Sequence, residues 1–236
     1  MFISRLILNP CNAQVRSELV RPYEIHRTLS KAFRQGVFNK EREKDDAAGV
    51  LFRVDEKPCE NLITILVQSR LAPDWSFLNY VSDARRQPYL LPAERVPDGK
   101  PNPATTELDF AKKLAARQML AFRLRANPTK RLGKSAGDDQ GKRVGIYGEK
   151  KQLEWLQRKA EAGGFRILRA MVSQDEKIED KPKHESTRPA LELLSVQFDG
   201  ILKVENVELA CRTVAQGIGS GKGFGFGLLS LAPYRG

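Results

Sequence analysis

The chain has 236 residues and 26.6 kDa, enough for one large domain or two small ones, and its 41% hydrophobic content excludes a disordered chain. No apolar run approaches the ~18 residues a membrane helix needs, and Met1 to Pro10 lacks the basic start and small-residue cleavage site of a secretory signal. With 40 Lys and Arg against 29 Asp and Glu, the net charge of +11 favours a polyanionic partner, nucleic acid before membrane.

Phe2 to Asn9 alternates and is rich in β-formers, so it reads as a strand. Arg21 to Phe33 reads as a helix and Lys40 to Asp46 as a charged loop. Val50 to Glu56 and Leu62 to Ser69 are expected strands, split by a loop containing Pro58 and Asn61. Pro73 to Ala84 reads as a second helix and Tyr89 to Val96 as a short closing strand. The order β-α-β-β-α-β is the ferredoxin-like motif. Pro, Gly and Asn then crowd Pro97 to Thr105, a plausible domain joint.

Met119 to Pro128 is a strong strand, with Phe122, Leu124 and Ala126 on one face and Arg123 and Arg125 on the other. Thr129 to Gly148 is a basic loop or hairpin, followed by a helix over Glu149 to Ala162 and a strand over Phe165 to Ser173. Gln174 to Pro189 is polar, expected to be disordered, and holds His184. Ala190 to Val204 is one long bent strand or a hairpin turning at Asp199-Gly200. Val207 to Gln216 reads as a helix and Phe224 to Ala232 as a last strand. The motif thus occurs twice. The expected fold is α+β: two tandem ferredoxin-like (RRM-like) domains over residues 1–96 and 118–236, with 97–117 as linker.

The chain has only two histidines, and His26 lies on the first helix. Pro22 suits a first helical turn, where its missing N–H would have no partner anyway. At 100° per residue, Ile25, Leu29, Ala32 and Phe33 form an apolar stripe with His26 at its edge. Tyr23 and Ser30 share the His26 side, while Lys31 lies about 140° round the helix. A half-shielded imidazole at such an edge is a candidate to move protons at neutral pH. The plainer alternative is a helix-edge histidine bonded to a carbonyl.

Between Phe122 and Lys159, eleven Lys and Arg face four acids, so most of the positive excess lies in one strip. Arg123, Arg125, Lys130, Arg131, Lys134 and Arg158 in this strip, with Arg27 on the first helix, are candidate polyanion ligands. Glycines alternate from Gly217 to Gly227 around Lys222. Gly219, Gly221 and Gly223 let backbone N–H groups approach a phosphate, and Lys222 adds a charge. The run lacks the GK[ST] ending of a Walker loop and leads into a strand rather than out of one. Cys11, Cys59 and Cys211 are scattered and odd in number, forming neither a disulfide frame nor a zinc pattern, which suits a reducing cytoplasm.

RPYEIHRTLSKAF (Arg21 to Phe33), FRLRANPTKR (Phe122 to Arg131), QLEWLQRK (Gln152 to Lys159) and GIGSGKGFGFGLLSLAP (Gly217 to Pro233) occur in an order and spacing that resemble the CasE family of CRISPR endoribonucleases, within the RAMP superfamily. The likeness spans almost the whole chain. It implies two ferredoxin-like domains that bind the stem-loop of CRISPR repeat RNA and cut at the 3′ base of the stem. It further implies attack by the 2′-hydroxyl without metal or other cofactor, leaving a 2′,3′-cyclic phosphate or 3′-phosphate end. The protein would be a cytoplasmic monomer when free, with no membrane attachment, and would stay on its product among the other subunits of the Cascade complex. The family's catalytic histidine falls on His26, its tyrosine on Tyr23 and a supporting lysine on Lys31. The alternative is a non-catalytic RNA-binding scaffold of the same fold.

Overall fold

The computed structural model describes residues 1–33, 48–57, 60–79, 87–133, 137, 140–180 and 191–234. Contacts divide the chain into two units: Met1–Asp109 with Gly223–Gly225, and Phe110–Lys222 with Phe226–Gly236.

In the first unit, β1 (Phe2–Leu8) is central, with Leu6, Ile7 and Leu8 all buried. Two helices follow, α1 (Ala13–Leu19) and α2 (Pro22–Ser30), then β2 (Leu51–Lys57), β3 (Leu62–Ser69) and β4 (Ala104–Glu107). The sheet runs β2-β3-β1-β4 and is antiparallel throughout. This is the ferredoxin-like arrangement, in which the first and third strands lie inside. α2 buries Ile25, Thr28 and Leu29, and its stripe meets Leu6, Phe52, Ile65 and Val67 in one core. Pro22 takes the expected first-turn position. The helix stops at Ser30, and Lys31 to Phe33 continue as a turn, with Phe33 N–H donating to Ser30 O at 3.3 Å.

Three expectations change. α1 is unforeseen. Its signal is Asn12, whose side-chain oxygen accepts from Val15 N–H at 2.9 Å and caps the helix. The helix expected at Pro73 to Ala84 is, in its described part, only a 3₁₀ turn over Ser76–Asn79. Asp74 N–H bonds Ala32 O, the Asp74 carboxylate takes Ser76 N–H, and Trp75 Nε1 donates to Ser4 Oγ at 3.0 Å. Those bonds strap Asp74 and Trp75 down ahead of the turn. The strand expected at Tyr89 to Val96 makes one bridge, Leu90 to Leu8, then turns after Pro92. Asn102 takes its place: its side chain bonds both Ile7 N–H and Ile7 O, and β4 follows inside the stretch read as linker. The loop Lys40 to Asp46 lies outside the described residues.

The second unit opens with a one-turn helix, α3 (Phe110–Lys113), then β5 (Met119–Ala126), a hairpin of β6 (Thr129–Arg131) and β7 (Arg143–Gly145), and α4 (Glu149–Ala162). Next come β8 (Phe165–Asp180), β9 (Leu191–Val204), α5 (Val207–Gln216) and β10 (Leu229–Pro233). The main sheet, β10-β5-β9-β8, is again antiparallel with the first and third principal strands inside. β5 alternates as expected, burying Leu120, Phe122, Leu124 and Ala126. α4 packs Trp155 against Phe198 of β9, ring centroids 6.2 Å apart.

β8 runs on through Gln174 to Asp180, residues read as disordered, because β9 supplies a partner for that length. β9 is one strand, not a hairpin. Gly200 sits mid-strand paired with Ala170, where a Cβ would fall 2.0 Å from Arg169 O. β10 begins at Leu229, later than expected. The glycine run first folds back on itself, with Ile218 N–H donating to Gly227 O and Gly227 N–H to Arg125 O. His184 lies outside the described residues.

Candidate active site

α2 presents Tyr23 and His26 on one side, one turn apart. Their ring centroids are 6.0 Å apart, and the imidazole also stacks on Phe52 of β2 at 6.3 Å and 15°. His26 is half-buried with its Nδ1 buried, while Tyr23 is 45% exposed. Ser30 Oγ donates to His26 O at 2.8 Å, a bond that steadies the last helical turn. The first unit also includes Gly223–Gly225. A methyl on Gly223 would sit 3.6 Å from both His26 Cδ2 and Tyr23 Cδ2, and the Phe224 ring lies 5.5 Å from that of Tyr23. The structure therefore joins three sequence candidates, Tyr23, His26 and Gly223, and adds Phe52 and Phe224, which periodicity could not link to them.

A buried carboxylate holds α2 in place. Glu18 of α1 accepts hydrogen bonds from Gln14 Nε2 (2.7 Å), Thr28 Oγ1 (2.8 Å) and Tyr89 Oη (2.7 Å). Thr28 is on α2, so this carboxylate ties the helix to α1 and to Tyr89. Burial, and then the Glu18 charge, push the Tyr89 hydroxyl far above its usual pKa and keep it a donor.

Lys31 caps the C-terminus of α2 and is exposed. Arg27 reaches back to Glu24, both carboxylate oxygens at 3.1 Å, on the solvent side of the helix. Neither is among the ring neighbours of His26 described above.

In the second unit the β6–β7 hairpin, α4 and the glycine run enclose a cleft of about 230 Å³. Its cations among the described residues are Lys130, Arg131, Arg143 and Lys159. Thr129, Trp155, Gly219 and Ser220 complete the lining, and among the described residues no carboxylate is part of it. Arg131 pairs directly with Arg143 across the hairpin. Like charges in that relation repel, and an anion in the cleft would offset that repulsion. Gly219 and Gly221 hold φ of 86° and 79°, values costly for other residues. A Cβ at Gly221 would also meet Phe226 at 2.9 Å. Of the predicted ligands, Lys130, Arg131 and Gly219 meet here. Arg143 and Lys159, counted in the basic strip but not singled out, join them; only the hairpin register reveals Arg143.

The remaining candidates lie elsewhere. Arg123 Nε donates to Asp199 Oδ1 at 2.6 Å across the open face of the sheet. Arg125 Nε donates to Ser195 Oγ at 2.8 Å, and its guanidinium lies over the Phe226 ring. Arg158 is exposed on α4 but does not line the cleft. Lys222 opens a 3₁₀ turn, Lys222–Phe224, half-buried. Lys134 lies outside the described residues. Among the described residues no group of three or more His, Cys, Asp or Glu is placed to hold a metal ion, and no helix is long and apolar enough to cross a membrane.

A family model described as CRISPR associated protein matches residues 1–233. The CRISPR-associated endoribonuclease Cse3 of Thermus thermophilus is 36% identical over 241 residues, covering 99% of this chain and 100% of that one. The CRISPR system Cascade subunit CasE of Escherichia coli is 36% identical over 121 residues, 48% of this chain and 58% of that protein. Among solved structures, CRISPR endoribonuclease Cse3 bound to a 19 nt RNA is similar with a TM-score of 0.78 and 33% identity, over 99% of this chain and 100% of that one.

Proposed function

The chain belongs to the CRISPR-associated protein family, and on that premise we propose that it is a metal-independent endoribonuclease. Its substrate is the CRISPR repeat stem-loop in precursor RNA, cut at the 3′ base of the stem. The observation that carries this reading is the pairing of a half-buried imidazole with an exposed tyrosine on one face of α2, in a chain whose second unit gathers four cations round one cleft. The relatives support it: one is named an endoribonuclease, the same kind of protein has been solved with RNA bound, and another is a Cascade subunit.

The 2′-oxygen attacks the neighbouring phosphorus, and the bond to the 5′-oxygen breaks. A 2′,3′-cyclic phosphate, or the 3′-phosphate that water makes from it by hydrolysis, is left on one fragment and a 5′-hydroxyl on the other. One proton leaves the 2′-hydroxyl and one reaches the departing 5′-oxygen. His26 makes one of those transfers, as base or as acid, a contribution of about 10²–10⁴-fold. Tyr23 orients the 2′-hydroxyl or the scissile phosphate, and Lys31, at the end of the same helix, offsets charge growing on the phosphorane. In-line alignment adds a comparable factor. The stem is held chiefly through its phosphates and A-form shape, since side chains read the deep groove poorly. Lys130, Arg131, Arg143 and Lys159 are the principal ligands. Once cut, the RNA stays bound and the protein enters Cascade with it.

The test is a labelled repeat hairpin incubated in EDTA with wild type and His26→Ala, with end-group analysis. Wild type should cut with EDTA present and leave a cyclic or 3′-phosphate end, and His26→Ala should bind without cutting. Undiminished cutting by His26→Ala removes the imidazole from the mechanism, loss of wild-type cutting in EDTA overturns the metal-free scheme, and normal cutting of a 2′-deoxy substrate excludes internal attack.

A further inference from the structure

We infer that Phe224 is a positioning residue that sets the orientation of Tyr23 beside His26. The inference rests on the proposed reading, in which Tyr23 touches the reacting groups. Tyr23 stands in the first turn of α2 with 45% of its surface exposed, and an exposed ring there has several rotamers open to it. Phe224 flanks that ring at 5.5 Å with the planes tilted by 33°, and His26 lies 6.0 Å away from it at 38°. Offset and tilted ring pairs are the favoured ones, and one such contact biases a rotamer population by about two- to tenfold.

The backbone is shaped to deliver Phe224 to that place. Gly223 on one side leaves only a methyl's width to His26 and Tyr23, and a Cβ on Gly225 would approach Phe52 Cε2 at 3.1 Å. A Cβ at Gly225 would press on Phe52 of the His26–Phe52 stack, whereas one at Gly223 would make ordinary contact with His26 and Tyr23. The tripeptide belongs by its contacts to the first unit although the residues before and after it belong to the second. The Phe224 side chain has no group that moves a proton or binds a phosphate, so in this inference its effect on the reaction passes through the ring it touches.

The experiment combines a mutant cycle with a spectrum, in the full-length protein. Single-turnover cleavage of a repeat hairpin and its Kd are measured for Phe224→Ala, Phe224→Leu and Phe224→Tyr, each with Tyr23 and with Tyr23→Ala. With Tyr23 present, Phe224→Ala and Phe224→Leu should slow cleavage by up to about tenfold, the rotamer bias that is lost, while Kd stays within about twofold and Phe224→Tyr restores the rate. With Tyr23→Ala, loss of Phe224 should add no more than about twofold, since residues acting through one another are not additive. Equal losses in both backgrounds, or a loss confined to Kd as for a nucleobase-stacking platform, would overturn the inference.

The spectrum needs no activity. The chain has two histidines, so His26→Asn identifies the His26 ring signals by their disappearance. Phe224→Ala should shift those signals as the Tyr23 ring turns, and should shift nothing once Tyr23→Ala is present. Signals that ignore Phe224 sink the proposal. A wild-type protein that cuts no repeat RNA sinks the nuclease reading instead, and the spectrum still decides the role of Phe224.

Discussion

Asp199 accepts hydrogen bonds from Arg123, Ser173 and Gln197 on the open face of the second sheet. Burial pushes its carboxyl pKa up, but these bonds, Arg123 first among them, outweigh burial and hold it below the ordinary 3.8. The folded pKa is thus depressed relative to the unfolded chain. The network contributes its full stability above the ordinary carboxylate range and loses it as pH falls through the folded value. Asp199→Asn should therefore lower the denaturation midpoint at neutral pH, with a difference from wild type that shrinks in strong acid. A difference constant with pH would mean that packing, not charge, was lost. The same ion pair qualifies Arg123 as an RNA ligand, because a phosphate there competes with Asp199. Glu18 shows the opposite economy: with three neutral donors its carboxylate orders α1, α2 and Tyr89 around the His26 helix.

Among the elements, the β6–β7 hairpin carries the argument for a polyanion. It opposes Arg131 to Arg143 and adds Lys130 to the cleft that Lys159 of α4 also lines. A sheet selected for stability alone does not place like charges face to face. Arg131→Ala and Arg143→Ala should each weaken binding of the repeat hairpin and reduce the slope of log affinity against log salt by roughly 0.7–0.9. Neither should destabilise the free protein. A series of Kd values at graded salt gives the slope, and an unchanged slope would make the strip a solvated surface only. The glycine run shows how one element serves two purposes. Gly219 lines the cleft, while Phe224 flanks Tyr23.

For the molecule as a whole, the imidazole belongs to the first unit and the cleft cations to the second, so rate and affinity should separate by mutation. His26→Ala should abolish cleavage with Kd nearly unchanged, whereas Lys130→Ala with Arg131→Ala should raise Kd and leave the rate at saturating RNA close to wild type. Joint loss of both quantities in either variant would show that binding and chemistry share residues. Much of this was legible in the sequence by itself. Period-two and period-3.6 patterns carry local geometry, so β5, α4, α5 and the apolar stripe beside His26 fall where the residues predict. The charge bias and the Tyr23–His26 spacing are likewise properties of the chain. Only the tertiary structure decided the rest, because pairing across a sheet depends on partners remote in sequence. β4 is too polar to announce itself and forms only where β1 offers an edge; β8 gains its outer half from β9; and Asp74 and Trp75 bond residues 42 and 71 positions away, where the described part of the expected helix is a 3₁₀ turn. Phe224 stands beside Tyr23 for the same reason: two rings two hundred residues apart meet only when the chain has folded.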